Sequence, residues 1–312
     1  MTLNILFSAR PTFWKQYEAP LPRALAEAGI DAQVFQPGDV AAEDVDYIVF
    51  APNGPVEDFA PFTRAKAALS LWAGVEQIVG NDTLAMPLAR MVDTSLTEGM
   101  VEWVTGQVLR HHLGIDRHIV NPEHEWKFVI PPLARDRVVT VLGTGALGTA
   151  CAEALVALNF RVRGWSRSEK QIAGVESFSG DAGLMAALEG AEIVVLLLPD
   201  TPATENVMGA RAFAAMAEGG CVINPGRGPL IDDAALVAAL DSGQLAHATL
   251  DVFREEPLPE GHPFWAHPKV TVTAHTASET RPWSASQSVA ENIRRAEAGE
   301  PLIGLVDRGA GY

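Results

Sequence analysis

The chain has 312 residues, 48% apolar and 20% charged, a balance that excludes a disordered polymer at a length that usually divides into two domains. Lys and Arg number 23 against 39 Asp and Glu, a net charge of −16, which disfavours nucleic acid and anionic membrane as partners and obliges a small anionic ligand to find locally placed cations. Residues 193–199, the longest apolar stretch, fall far short of the ~20 a membrane span needs, the N-terminus lacks the basic region of a signal peptide, and Cys151 and Cys221 stand in no metal-type spacing; a cytoplasmic protein with reduced core thiols and no metal is expected.

In chain order, short apolar runs at 3–8, 33–35, 47–50 and 68–72 suit buried parallel strands, with helical spacing over 13–28 ending at Gly29. Residues 86–92 are one more strand or an extended linker, because Pro87 is excluded from a helix interior. A helix is predicted at 98–111, with Met100, Val101, Val104 and Val108 on one stripe, and an irregular surface excursion at 112–137, which holds Pro122, Pro131 and Pro132. A second series then places strands at 138–142, 161–165, 193–198, 221–224, 248–251 and 270–273. Helices fall at 147–158, 183–188, 211–217 and 232–240, and a last one at 280–298. This rhythm predicts an α/β protein of two doubly wound domains with a cleft between them. The last helix is expected to return to the first series, giving a discontinuous domain of 1–96 and 284–312 around a second domain of 97–283.

The strand Val138-Val139-Thr140-Val141-Leu142 leads directly into Gly143-Thr144-Gly145-Ala146-Leu147-Gly148 and a helix. In that context the glycines mark a dinucleotide site: Gly143 for the tight turn, Gly145 for approach of a pyrophosphate, Gly148 for helix–strand packing, with the helix N-terminus facing the phosphates. About 20 residues on, where a carboxylate would bind the ribose 2′-hydroxyl of NAD(H), the chain reads Trp165-Ser166-Arg167-Ser168. A guanidinium between two hydroxyls suits a 2′-phosphate, so NADP(H) is expected to be preferred, with NAD(H) possible.

Three polar stretches follow later strands: Asn224-Pro225-Gly226-Arg227-Gly228, Asp251-Val252-Phe253-Arg254-Glu255-Glu256-Pro257 and Thr273-Ala274-His275-Thr276-Ala277-Ser278. Ligand crevices of doubly wound sheets lie at such carboxyl ends, so Arg227, a carboxylate and His275 are expected to converge. In order and spacing, these stretches, the glycine motif, the 198–204 segment and the Trp72-Ala73-Gly74-Val75-Glu76 run resemble the D-2-hydroxyacid dehydrogenase family, most closely its glyoxylate/hydroxypyruvate reductase A branch.

The resemblance implies a Rossmann cofactor domain, a smaller flavodoxin-like substrate domain, and a homodimer that reduces small 2-oxoacids to 2-hydroxyacids. It implies that Arg227 binds the substrate carboxylate and carbonyl and that His275 is the general acid. Glu256, with Glu255 as the alternative, would pair with that His, and Asp251 would contact the nicotinamide end. Backbone N–H groups of Ala73, Gly74 and Val75 would hold the substrate carboxylate. Leu198, Pro199, Thr204, Pro225 and Gly226 would border the nucleotide, and Phe50, Trp72 and Met100 either line the substrate pocket or belong to the core. This sequence departs from the family's pattern in Ala274, where Pro commonly precedes the His, and in Pro225, which cannot donate a backbone hydrogen bond. A catalytically weak, dinucleotide-sensing binding protein on the same fold is the competing reading.

Overall fold

The computed structural model describes residues 2–119, 121–126 and 128–311. Two compact units divide the chain, Met1–Leu96 with Glu279–Tyr312, and Thr97–Ser278. In the first, β1 (Leu3–Ser8), β2 (Ala32–Phe35), β3 (Tyr47–Phe50), β4 (Ala67–Ser70) and β5 (Leu88–Ala89) form a parallel sheet in the order β2-β1-β3-β4-β5. Every residue of β3 and β4 is buried, as expected of parallel strands covered on both faces. One face packs Phe7, Val49 and Leu69 against Leu21, Leu25, Val289 and Ile293; the other gathers Ile48, Phe50, Phe59, Ile78 and Leu84. Val289 and Ile293 belong to the final helix, Pro282–Glu297, which therefore completes this unit's core. The single helix expected over 13–28 is two, α1 (Pro11–Tyr17) and α2 (Pro20–Glu27), each with proline in its first turn. Pro20 lacks the N–H that a continuous helix needs at that position, yet is well placed at a helix start.

The long helix α3 (Thr94–Leu113) begins earlier than the apolar stripe suggests. Asp93, not an apolar residue, sets its start: its Oδ1 accepts from the Leu96 N–H at 2.7 Å. Among its described residues the excursion holds the short helix α4 (Asp116–Ile119) and a 3-10 turn, Ala134–Asp136. The second sheet contains β6 (Val138–Leu142), β7 (Arg161–Ser166), β8 (Val175–Ser179), β9 (Ile193–Leu196), β10 (Gly220–Asn224), β11 (Leu245–Leu250) and β12 (Val270–Val272). All pairs are parallel, in the order β12-β11-β10-β9-β6-β7-β8. Helices α5 (Ala146–Ala157), α6 (Gly180–Leu188), α7 (Ala210–Ala215) and α8 (Asp233–Ser242) make the crossovers. Alternate residues of β6 and β9 serve two cores: Val139, Val141, Ile193 and Val195 meet Met100, Val104 and Val108 of α3, whereas Leu142, Val194 and Leu196 meet Leu188, Phe213 and Leu236. Chain direction across the sheet reverses between β6 and β9, which is the switch point where such folds open a ligand crevice. The edge strand β8 was not expected from sequence.

Both cysteines are free thiols; burial pushes Cys151 up to about 12 and Cys221 up to about 11, so neither is a thiolate near neutrality. The histidines of α3 are structural, and His112 is buried. His111 Nε2 lies 2.9 Å from Thr249 Oγ1, His112 Nδ1 accepts from Arg137 Nε at 3.0 Å, and the His111 and His247 rings stand 5.2 Å apart. Burial, then the neighbouring His247 and Arg110, lowers the His111 pKa to about 3; burial first also lowers His112 and His247. These side chains thus charge at a higher pH in the unfolded chain than in the folded one. The unfolded state binds more protons below pH ~6.5, and stability drains as pH falls from there toward 3. One pKa unit is about 1.4 kcal/mol, which moves the Tm of a chain this size by roughly 2–4 °C. Thermal melts between pH 7 and 5 should therefore fall steeply, and His111→Gln should flatten that dependence. A slope unchanged by the substitution contradicts the assignment.

Candidate active site

The β6–α5 turn meets the steric demands of a phosphate-binding loop. Gly143 has φ +102°, and a Cβ there would stand 2.4 Å from the Leu197 carbonyl oxygen, just past β9; one on Gly148 would stand 1.8 Å from the Gly143 carbonyl oxygen. A Cβ on Gly145 would meet nothing within 4 Å, Gly145 and Ala146 are exposed, and no side chain caps α5. The first-turn N–H groups of α5, those of Ala146, Leu147 and Gly148 among them, have no intrahelical acceptors. Open space above a helix N-terminus at the switch point fits a dinucleotide pyrophosphate.

The loop after β7 is tied to this turn. Gly143 N donates to the Trp165 carbonyl at 2.8 Å, and the Thr144 and Ser166 hydroxyls lie 2.9 Å apart. Ser166 Oγ also donates to the Ser168 carbonyl at 2.8 Å. Arg167 and Ser168 are exposed. The Trp165 indole points the other way, into the core, where its N–H donates to Gly180 O at 2.8 Å, so only its backbone serves the turn. Lys170, which the sequence reading passed over, donates from Nζ to the Thr144 carbonyl at 2.6 Å. Leu198 is a core residue. Thr204 Oγ1 donates to Pro199 O at 2.7 Å and closes the turn after β9.

Arg227, Glu256 and His275 lie on the turns that follow β10, β11 and β12, which are neighbours in the sheet. The Asn224 side chain shapes the first turn, accepting from Gly226 N at 3.1 Å and donating to Arg227 O at 2.9 Å, while Arg227 Nη1 donates to Gly226 O at 2.7 Å. Pro225 is buried within it. A Cβ on Gly228 would stand 2.0 Å from Phe253 C, so only glycine lets the Arg227 turn close onto the segment that carries Glu256.

His275 Nδ1 and Glu256 Oε2 are 2.7 Å apart. A carboxylate only accepts, which places the proton on Nδ1 and leaves Nε2 to exchange protons with a ligand; Nε2 has no hydrogen-bond partner among the described residues. The other carboxylate oxygen, Glu256 Oε1, accepts from Phe253 N at 2.9 Å, which fixes the side chain. Glu256, not Glu255, is therefore the partner. The His275 side chain is 52% exposed, and its φ of +54° is a conformation few side chains adopt. Fully buried Asp251 maintains it: Oδ1 accepts from Thr273 Oγ1 at 2.5 Å and Thr276 N at 2.9 Å, Oδ2 accepts from Ala277 N at 2.8 Å, and Asp251 O accepts from His275 N at 2.8 Å. Those bonds hold the turn although Ala274, not proline, precedes the His.

In the first unit, Trp72, Ala73, Gly74 and Val75 follow β4. The Trp72 carbonyl accepts from Met91 N at 2.9 Å, and the N–H groups of Ala73, Gly74 and Val75 find no acceptor among the described residues. Three successive unpaired donors suit an anion. Phe50 and Met100 are core side chains of the first and second unit respectively, and Trp72 is partly buried against the first unit's core. Among the described residues no group of three or more His, Cys, Asp or Glu side chains could hold a metal ion, and no helix is long and apolar enough to cross a membrane.

Residues 105–277 match the family described as D-isomer specific 2-hydroxyacid dehydrogenase, NAD binding domain. The chain is 39% identical over 319 residues to glyoxylate/hydroxypyruvate reductase A of Serratia proteamaculans, covering 99% of this chain and 100% of that one. Among solved structures it is similar to a D-isomer specific 2-hydroxyacid dehydrogenase from Xanthobacter autotrophicus in complex with NADPH and MES, at 40% identity, TM-score 0.92 and full coverage of both chains. It is also similar to the NADPH-dependent glyoxylate/hydroxypyruvate reductase of Sinorhizobium meliloti in complex with NADP and sulfate, at 35% identity, TM-score 0.84 and full coverage of both.

Proposed function

The chain belongs to the D-isomer specific 2-hydroxyacid dehydrogenase family, and from that premise we propose that it reduces small 2-oxoacids, glyoxylate and hydroxypyruvate foremost, with NADPH preferred over NADH. The observation that carries this reading is the Glu256–His275 pair at 2.7 Å, with Nε2 unengaged, on the same parallel sheet whose switch point bears the glycine turn. The substrate named for the Serratia relative and the NADPH and NADP held by the two solved relatives support it. The sensing alternative is not favoured: a protein that only reads cofactor occupancy has no use for a proton carrier oriented by a carboxylate.

The nicotinamide cofactor, when bound, supplies a hydride for the substrate's carbonyl carbon. Gly143, Gly145, Gly148 and the α5 N-terminus would hold its pyrophosphate, with Arg167, Ser166 and Ser168 near the adenosine ribose and Pro199, Thr204, Pro225 and Gly226 along the nucleotide. Arg227 would bind the substrate carboxylate and carbonyl oxygen in a bidentate grip and stabilise charge building on that oxygen. His275 would give it the Nε2 proton, and Glu256 would stabilise the imidazolium that precedes transfer. Asp251 holds the turn on which His275 rides and would abut the nicotinamide end. The first unit is assigned to the substrate, through the N–H groups of residues 73–75, and the second to the cofactor.

We further assign a homodimer and a cytoplasmic location. Trp126, Phe128 and Ile130 are 95%, 80% and 75% exposed, a run of apolar surface that a second copy would cover, and two free thiols suit a reducing compartment. A solution mass of one 33.3 kDa chain would refute the dimer. The main test is steady-state NADPH consumption with a panel of 2-oxoacids. Glyoxylate and hydroxypyruvate are expected to turn over at roughly 1–10³ s⁻¹, with kcat/KM for NADPH at least about tenfold above that for NADH, since a charge-assisted phosphate contact is worth about 1.5–3 kcal/mol. Absence of turnover with every oxoacid would reject the reductase.

A further inference from the structure

We propose that Arg254 is a positioning residue for the reaction: its guanidinium ties the segment that carries Glu256 to the turn that carries Arg227, and so holds the carboxylate that orients His275. The inference rests on the roles proposed above for those three residues and adds one that acts through them. Arg254 Nη2 donates to Ile231 O at 2.6 Å, to Pro229 O at 3.2 Å and to Asn206 Oδ1. Pro229 and Ile231 end the turn that begins at Arg227. Asn206 lies in the loop after β9, and its own N–H donates to Pro229 O at 2.8 Å. One side chain thus joins the segments that follow β9, β10 and β11. Its carboxylate contacts are the longer ones, Glu205 Oε1 at 3.5 Å and Asp233 Oδ2 at 4.0 Å. In a chain with 39 acidic residues, this cation gives its shortest bonds to neutral oxygens. It serves as a fork that fixes backbone, not as a surface ion pair of little worth.

The link to the reaction runs through Phe253, the residue before Arg254. Phe253 N donates to Glu256 Oε1 at 2.9 Å, and Glu256 Oε2 lies 2.7 Å from His275 Nδ1. A Cβ on Gly228 would stand 2.0 Å from Phe253 C, so the 253–254 peptide already lies against the Arg227 turn. Packing of that kind limits approach but does not oppose separation; hydrogen bonds from the guanidinium do. Without them the loop is free to drift outward, carrying the Phe253 N–H away from Glu256 and the carboxylate away from the imidazole. A misplacement of about 1 Å in a reacting group can cost about 10²-fold in rate.

The test is steady-state glyoxylate reduction, expressed per NADPH-binding site, for wild type, Arg254→Met, Glu256→Gln and the double variant. Arg254→Lys is measured in both backgrounds as well, so that loss of fold in the methionine variant leaves the cycle measurable. Arg254→Met should lower kcat by roughly tenfold or more, with the Kd for NADPH within about threefold of wild type. In Glu256→Gln it should cost less than about threefold further, because the pair it serves is already impaired. Arg254→Lys should fall between, one point donor standing in for a fork. Equal fold losses in both backgrounds would show Arg254 acting independently of Glu256 and overturn the proposal, as would a fall in Tm with kcat per site unchanged. A wild type that reduces no oxoacid would instead refute the reductase reading on which the proposal rests.

Discussion

His275→Asn is expected to lower kcat for glyoxylate reduction by roughly 10²–10⁴-fold, the range for removal of a positioned general acid, while NADPH affinity shifts by less than about threefold. Asn is the informative replacement because it tolerates the left-handed backbone better than most residues, and His275 sits at φ +54°. It can still bond to Glu256, so the turn clamped by Asp251 should survive and the loss should fall on chemistry. Glu256→Gln should cost less, roughly tenfold or more, because the imidazole remains but its protonated form loses a carboxylate held at 2.7 Å. Near-wild-type turnover in His275→Asn would remove the proton donor from the scheme. A large drop confined to NADPH binding would move His275 from the reaction to the cofactor site.

Much of this arrangement was legible because buried parallel strands announce themselves. Val138–Leu142 is apolar but for Thr140 and Ile193–Leu196 is a continuous apolar run, and the glycine motif sits where strand meets helix. Features that depend on single polar contacts were not legible. The edge strand Val175–Ser179 reads Val-Glu-Ser-Phe-Ser, with too few apolar residues to stand out, because one of its sides has no neighbouring strand. The break between α1 and α2 was written in Pro20 but obscured by apolar spacing that runs through it. Spacing alone could not choose Glu256 over Glu255; the choice follows from Phe253 N fixing one oxygen while the other meets the imidazole. The ring nitrogen of Trp165 and the ammonium of Lys170 likewise turn to carbonyls, Gly180 and Thr144, that lie 15 and 26 residues away and leave no local signature.

Arg227→Lys should lower kcat/KM for glyoxylate by roughly 10²–10³-fold, although the charge is kept. The turn explains why. Asn224 grips both Gly226 N and Arg227 O, and Gly228 admits the approach to Phe253, so the backbone of residue 227 is fixed and a shorter reach cannot be recovered by a shift of the loop. A lysine there offers a single point donor where a carboxylate and a carbonyl oxygen need a fork, and losing one charge-assisted bond plus the orientation it gives amounts to about 3–4 kcal/mol. Arg227→Gln should fall further and differ in kind, because nothing at that position then offsets a chain of net charge −16. Salt screens whichever field dominates. In the wild type, where a local cation draws the anion in, added salt should lower kcat/KM; in Arg227→Gln, where the overall field repels it, added salt should raise it. The same sign of salt dependence in both proteins would mean that Arg227 does not meet the substrate's charge.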